Sequence, residues 1–462
     1  MFCLSAHDIA QLTGGRILCG SEELQADNVV IDSREAAPGA LFAAFAGASV
    51  DGHDFLDAAF CGGARIALIS DLSRADDLME QAQRSGAALI HVADVQAALW
   101  DLARANRARL HIPVIAITGS SGKTSTKELL TAVLAQRMKV VATYANYNNE
   151  LGVPLTILRA GKDTEALVVE MGMRAAGEIA ALAELAAPQI GIITNIGLAH
   201  IETLGSPRAI AAAKAELLAA LPQDGLAIYP DDTGYTELLR EATACARTLT
   251  CSMDDPAADY YASGLESDAQ ACFTATVHTP RSQLRVRLQV PGRHMMANAL
   301  LCIAAGEELG LCDDDIAQGL AGAQTVGLRL ASIDVASRGI RILADAYNAN
   351  PDSMAAALRT LSALRPPLPQ GRRVAVLGDM LELGDAAPAA HRALLELAGE
   401  LGLGYLFVFG SQFCAVAPPE VAYDDMVVLT QALCAFLRPG DVVLVKGSRG
   451  MRMERVIEAL QA

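Results

Sequence analysis

The chain has 462 residues, 52% of them hydrophobic, and 36 basic against 53 acidic side chains give a net charge of −17. That length exceeds one ordinary core and predicts two to four domains, while the charge argues against nucleic acid and anionic membranes as bulk partners. Aromatic residues are only 4%, too few to build stacking platforms for single strands.

The amino-terminal residues lack the charged and apolar regions of a secretory leader, and no apolar run nears the ~18 residues that span a bilayer. Ten cysteines are scattered singly from Cys3 to Cys434. That pattern fits reduced thiols in a cytoplasmic protein, not a disulfide frame or zinc site.

Region one, residues 1–95, carries strand-like runs at Val29–Ile31 and Ala67–Ile69 with helical stretches between. Asp94 to Leu110 reads as a helix leading onward. Region two, residues 96–320, alternates strands (Ala166–Glu170, Ile190–Thr194) with helices near 176–187 and 207–221, which predicts a parallel sheet covered on both faces. Within it, Phe273–His278 and Leu284–Val290 alternate apolar and polar, as antiparallel ribbons do. Region three, residues 321–462, restarts the alternation with strands near Ile340–Ala344, Arg373–Leu377, Tyr405–Phe409 and Asp441–Val445. The fold class expected is therefore α/β in three domains.

The sharpest motif is Thr118-Gly119-Ser120-Ser121-Gly122-Lys123-Thr124-Ser125, placed between the apolar run Ile112–Ile117 and a helical pattern through Leu134. Position 117 is Ile, so the loop is a shortened Gly-x-x-Gly-Lys-Thr. Such a turn presents backbone N–H groups and a helix N-terminus to a phosphate chain. Lys123 can reach terminal phosphates and Thr124 can offer its hydroxyl to Mg²⁺. A plain Gly/Ser turn is the alternative.

Polar residues end the next strands: Glu170 after Leu167-Val-Val, and Asn195 and His200 after Ile192-Ile-Thr. Open α/β sheets bind ligands at such strand ends. Glu170 is a hard oxygen donor suited to Mg²⁺, although a solvated strand end is also possible; imidazole is a poorer Mg²⁺ ligand, so His200 carries little weight alone.

Taken together, these residues resemble the Mur ligase family, ATP-dependent amide-forming enzymes of peptidoglycan precursor synthesis. The resemblance implies an amino-terminal UDP-binding domain, a central ATP-binding P-loop domain and a C-terminal Rossmann-like domain for the incoming amine. It implies that the loop binds ATP and that Thr124, Glu170, His200 and Lys214 hold two Mg²⁺ ions, with Lys123, Glu170, His200 and Lys214 as the catalytic set. Lys214 lies in an Ala-Lys-x-x-Leu context and would carry a carbamate, turning a cation into an anionic ligand; an ordinary surface lysine is the alternative. Val290–Asn298 resembles the family's adenine segment, with Met295 in place of an Asn, which leaves Asn298 for the base. Arg329 and Asp345 would meet the nucleotide, and Asn348 and Ser353 the incoming amine.

Asp32-Ser33-Arg34 resembles the UDP-binding segment, with Ser33 and Arg34 as donors to pyrophosphate or uracil oxygens. Asn146–Pro154, including Asn149, the stretch Leu377–Gly384 with His391, and Lys446–Arg449 resemble the member that adds D-alanyl-D-alanine to UDP-N-acetylmuramoyl-tripeptide. That activity, a cytoplasmic monomer, and hinges near 95–112 and 318–330 are what the resemblance implies. A sibling ligase that adds a single diamino acid, or a P-loop ATPase that forms no amide, would share the loop.

Overall fold

A computed structural model describes residues 3–47, 50–324 and 327–462. The chain divides into two compact units: Met1–Ala116 with Met138–Met173 and Glu178–Gln189, and Ile117–Arg137 with Arg174–Gly177 and Ile190–Ala462.

The first unit holds a five-stranded sheet in the order Arg16–Cys19, Ala88–His91, Ile66–Ile69, Ala40–Ala43, Asn28–Val30. All pairs are parallel except the first. Ile66–Ile69 is buried on both faces, as its unbroken apolar run requires. His53, a member of the Asp51-Gly-His53 segment, is buried; its Nδ1 lies 2.6 Å from Asp51, and its Nε2 accepts the Ser70 and Asp71 N–H groups. The helix Val95–Ala108 is capped by Asp94, whose carboxylate accepts the Ala97 N–H; the 95–112 stretch is thus largely helical. The parallel pair Val140–Ala142 and Ala166–Glu170 also belongs here.

The second unit contains six strands in the order Gln283–Pro291, Cys272–His278, Tyr260–Ser267, Arg247–Ser252, Leu226–Pro230, Ile190–Ile193. The strands from Ile190 to Tyr260 pair in parallel, and the last two are antiparallel ribbons, where the period-2 pattern places them. The helix Arg293–Glu308 is buried along most of its length, which explains its near-continuous apolar sequence.

The same unit carries a second sheet: Ala331–Val335, Ile340–Asp345, Val442–Lys446, Arg373–Gly378, Tyr405–Phe409, Ala422–Tyr423. Only its first pair is antiparallel. Val442 and Leu444 enter one apolar cluster while Val443 and Val445 enter another. Two buried faces of one strand are the mark of a doubly wound sheet. Of the 318–330 stretch, a helix runs to Gly322 and Thr325 and Val326 lie outside the described residues. No helix among the described residues is long and apolar enough to cross a membrane.

Candidate active site

The buried strand Val114–Thr118 delivers its end to the glycine loop, and the helix Lys123–Leu134 follows at once. Gly122 is the helix cap, at φ 79°, and no side chain caps the helix. A glycine turn leading straight into a helix N-terminus is the arrangement that binds anions. The Lys123 ammonium folds back onto the Gly119 carbonyl at 2.7 Å.

The loop is held from one side. The Ser121 N–H donates to Asn195 Oδ1 at 2.8 Å, and Asn195 Nδ2 donates to Ser121 Oγ at 2.9 Å. The Thr194 hydroxyl donates to the Ser121 carbonyl, and the Gly197 N–H donates to Ser120 Oγ at 2.9 Å. Thr194 and Asn195 thus brace the loop, a role visible in sequence only as a polar Thr-Asn pair ending an apolar strand.

Lys214 is 1% exposed on the helix Pro207–Ala219, which rules out a surface lysine. Burial, aided by the nearby Lys123 charge, pushes its pKa well below the ordinary lysine value. His200 is likewise lowered, first by burial and then by Lys123 and Lys214, against the pull of Glu382. Its Nδ1 lies 2.8 Å from Glu382 Oε2. Lys123, Lys214 and His200 are thus close enough for each to disfavour its neighbours' charge.

Beside the loop, Thr124, Ser125, Glu128, Leu129, Val290, Met295, Gln324 and Arg329 line a cleft. Asn298 is buried at its edge, its amide facing Gly122 and its Nδ2 lying 3.9 Å from the Met295 sulfur. The Arg329 guanidinium stacks over Tyr347 at 4.0 Å. Asp345 pairs with Lys446 at 2.7 Å, and Lys446 also donates to the Asn348 carbonyl at 2.9 Å. Burial raises the Asp345 pKa against the opposing pull of Lys446 and Arg329. Lys446, seen in sequence only as part of a closing motif, is the buried partner that this carboxylate needs.

The Asn350 side chain donates to the Ser120 carbonyl at 3.1 Å. Ser353 forms a capping box with Asn350 on the helix Pro351–Ala363, so its hydroxyl is engaged in the cap.

In the first unit, Glu170 is buried and its Oε1 accepts from Asn148 Nδ2 at 2.7 Å. The neighbouring Asn149 turns its Oδ1 to the N–H groups of Leu151 and Gly152; Asn148 is the residue that touches the carboxylate. Arg34 is exposed and forks onto Asp32, whose carboxyl it draws down to about 2. Ser33 opens the short turn that Asp32 caps.

No group of three or more His, Cys, Asp and Glu side chains able to hold a metal occurs among the described residues. Hydroxyl and carboxylate oxygens such as those of Thr124 and Glu170, with substrate phosphates, are the kind of donor that Mg²⁺ accepts, since it seldom uses an all-protein cage.

Three family models match successive stretches of the chain: the Mur ligase family catalytic domain over 25–107, the Mur ligase middle domain over 117–306 and the Mur ligase glutamate ligase domain over 329–449. A protein of Mycobacterium tuberculosis called UDP-N-acetylmuramoyl-tripeptide–D-alanyl-D-alanine ligase is 37% identical, covering 100% of this chain and 98% of its own. Its namesake in Bacillus subtilis is 35% identical over 95% of this chain and 94% of its own. Among solved structures, MurF from Acinetobacter baumannii aligns with a TM-score of 0.85 at 30% identity, covering 99% of both chains. MurF from Thermotoga maritima in complex with ADP aligns at 0.78 and 27% identity, covering 94% of this chain and 97% of that one. The three-domain α/β architecture is common to them and to this chain.

Proposed function

The chain belongs to the Mur ligase family, and on that premise we propose that it joins D-alanyl-D-alanine to UDP-N-acetylmuramoyl-tripeptide with cleavage of ATP to ADP and phosphate. Residues 1–95 would bind the UDP end through Ser33 and Arg34, residues 96–320 the ATP, and residues 321–462 the dipeptide, with Asn149, Asn348 and Ser353 as further substrate-binding residues. The reaction draws on nucleotide-linked precursors and ATP, so its place is the cytoplasm, and one chain supplies every residue it needs.

The observation that carries this reading is the glycine loop set between a buried strand and a helix N-terminus, with Lys123 folded onto it and the buried Lys214 and the partly buried His200 close enough to feel its charge. The tripeptide carboxylate attacks the γ-phosphorus and ADP leaves, giving an acyl phosphate. Both reactants are anions, so the loop N–H groups and the Lys123 ammonium lower the barrier by offsetting their repulsion. The dipeptide amine then attacks the acyl carbon, and phosphate leaves. Asn298 and Arg329 orient the nucleotide, with Lys446 holding Asp345 beside them.

Two Mg²⁺ ions, held by Thr124, Glu170, His200 and Lys214, would supply charge neutralisation at the phosphates. Lys214 suits that task as a carbamate. Burial disfavours the charged form of its amine, and the neutral amine is the form that adds CO₂.

Phosphate release from ATP, measured with UDP-N-acetylmuramoyl-tripeptide with and without D-alanyl-D-alanine, tests the proposal. Release that requires the dipeptide, with a UDP-linked pentapeptide seen by mass, is expected. Release with a single amino acid and a UDP-dipeptide would move the reaction to the sibling ligase. Release indifferent to both substrates would overturn it.

A further inference from the structure

The stretch from Asp379 to Glu382 resembles part of the family but is given no task by the reaction above. Its backbone is tied down residue by residue. The Asp379 N–H donates to the Phe409 carbonyl at 3.0 Å, and its buried carboxylate accepts the N–H groups of Gln412 and Phe413, both at 2.9 Å. The Met380 N–H donates to Nε2 of the fully buried His391 at 3.0 Å, and His391 Nδ1 donates to the Ala387 carbonyl at 2.7 Å. The Leu381 N–H donates to Ser448 Oγ at 2.9 Å.

Glu382 comes next, and its backbone is left-handed at φ 63°. A non-glycine residue holds that conformation only where its surroundings impose it. The Glu382 side chain is 61% exposed, yet it ends 2.8 Å from Nδ1 of His200, itself left-handed at φ 65°. Two strained residues on separate elements are thus aimed at each other.

An ionised carboxylate only accepts hydrogen bonds. Of the two tautomers of the neutral ring, only the one protonated on Nδ1 can donate to it, and that tautomer leaves the lone pair on Nε2. Partners of this kind set the tautomer and orientation of a ligating histidine.

We propose that Glu382 is a positioning residue whose carboxylate fixes the ring and tautomer of His200, and that the Asp379–His391–Ser448 network exists to present it. The inference rests on the reading of His200 as a group of the ATP site.

Glu382→Ala removes a mostly exposed side chain, so its melting temperature should match the parent. Its kcat should fall about 10–100-fold, the usual cost of losing a second partner of a ligand, with the KM for D-alanyl-D-alanine unchanged. In a His200→Ala background the same change should add nothing, because Glu382 acts only through that ring. Nitrogen NMR of the metal-free, [¹⁵N]histidine-labelled full chain should show the Nδ1–H form for His200 in the parent and a mixture in Glu382→Ala, the signal being assigned by its loss in His200→Gln. A kcat within twofold of the parent, a loss that persists in the His200→Ala background, or identical tautomer signals would each overturn the proposal. A parent that forms no amide would overturn the ligase reading instead, and the tautomer spectra would still decide the pairing.

Discussion

The amide oxygen of Asn298 lies 2.9 Å from where a β-carbon on Gly122 would stand, and Gly122 sits at φ +79°. Conformation and contact both demand glycine at this point of the loop. Gly122→Ala should lose about 1–2 kcal/mol of stability from the left-handed backbone alone and at least about tenfold in ADP affinity from displacing Asn298, since 1.4 kcal/mol is tenfold. Gly234→Ala is the control: φ is +71° with nothing within 4 Å of the added carbon. Calorimetric ADP titration of both variants separates the two effects. Equal affinities would mean that Asn298 does not approach the nucleotide.

Lys214 offers a stability test as well as a catalytic one. Its folded pKa lies well below 10.5, so the unfolded chain binds a proton that the folded chain does not. Folding therefore loses stability as pH falls below about 10.5, down to the folded value. Lys214→Met removes that cost. In CO₂-free buffer its melting temperature should exceed the parent's, by more at about pH 6 than at about pH 9, while amide formation falls at least about 100-fold. In the parent, ¹³C-bicarbonate should label a carbamate carbon that the variant lacks. Near-normal turnover in the variant would remove Lys214 from the mechanism.

His294 should make the protein acid-sensitive. Burial, with Lys446 nearby, pushes its pKa down to about 4 from 6.5. A base with a depressed folded pKa leaves stability intact above 6.5 and withdraws it as pH falls from 6.5 toward 4. Between about pH 7 and pH 4.5 the parent's melting temperature should drop more steeply than that of His294→Gln. Parallel curves would show that the ring is hydrated in the folded state.

Much of this was legible in the sequence because it is periodic or glycine-marked. The alternating Leu284–Val290 run became an antiparallel ribbon, and the shortened loop became a strand, a glycine turn and a helix. What could not be read is long-range pairing. Nothing local in Asn195 says that it holds Ser121, 74 positions away. Glu382 and His200 are 182 positions apart, and only the fold makes them a pair. Asn148 and Asn149 are identical in type, yet Asn148 meets Glu170 while Asn149 closes the turn that enters the following helix. The short strands Arg16–Cys19 and Asn28–Val30 are partly exposed, so burial imposes only a weak pattern on them.

The C-terminal sheet hangs on one buried pair. Asp441, 1% exposed, receives Arg372 in a fork at 2.7 and 3.1 Å, together with the backbone N–H groups of Arg372 and Arg438, each at 2.9 Å. The guanidinium is stacked over Phe436 at 4.1 Å. Burial pushes the Asp441 carboxyl up, but these hydrogen bonds outweigh it and hold the pKa below 3.8. Stability from this group is therefore complete above about pH 4 and is lost as pH falls through the lowered folded value. Asp441 immediately precedes the central strand Val442–Lys446, whose last residue pairs with Asp345. Removing one partner of a buried pair costs about 3–5 kcal/mol because the other charge is stranded. Asp441→Ala should shift urea unfolding by that amount and flatten its acid dependence, and ADP binding should weaken as Lys446 loses its support. Arg372→Met strands the carboxylate but keeps its two backbone donors, so its loss should be smaller. Equal losses in the two variants would mean that the salt bridge, and not the backbone cap, sets the stability of this sheet.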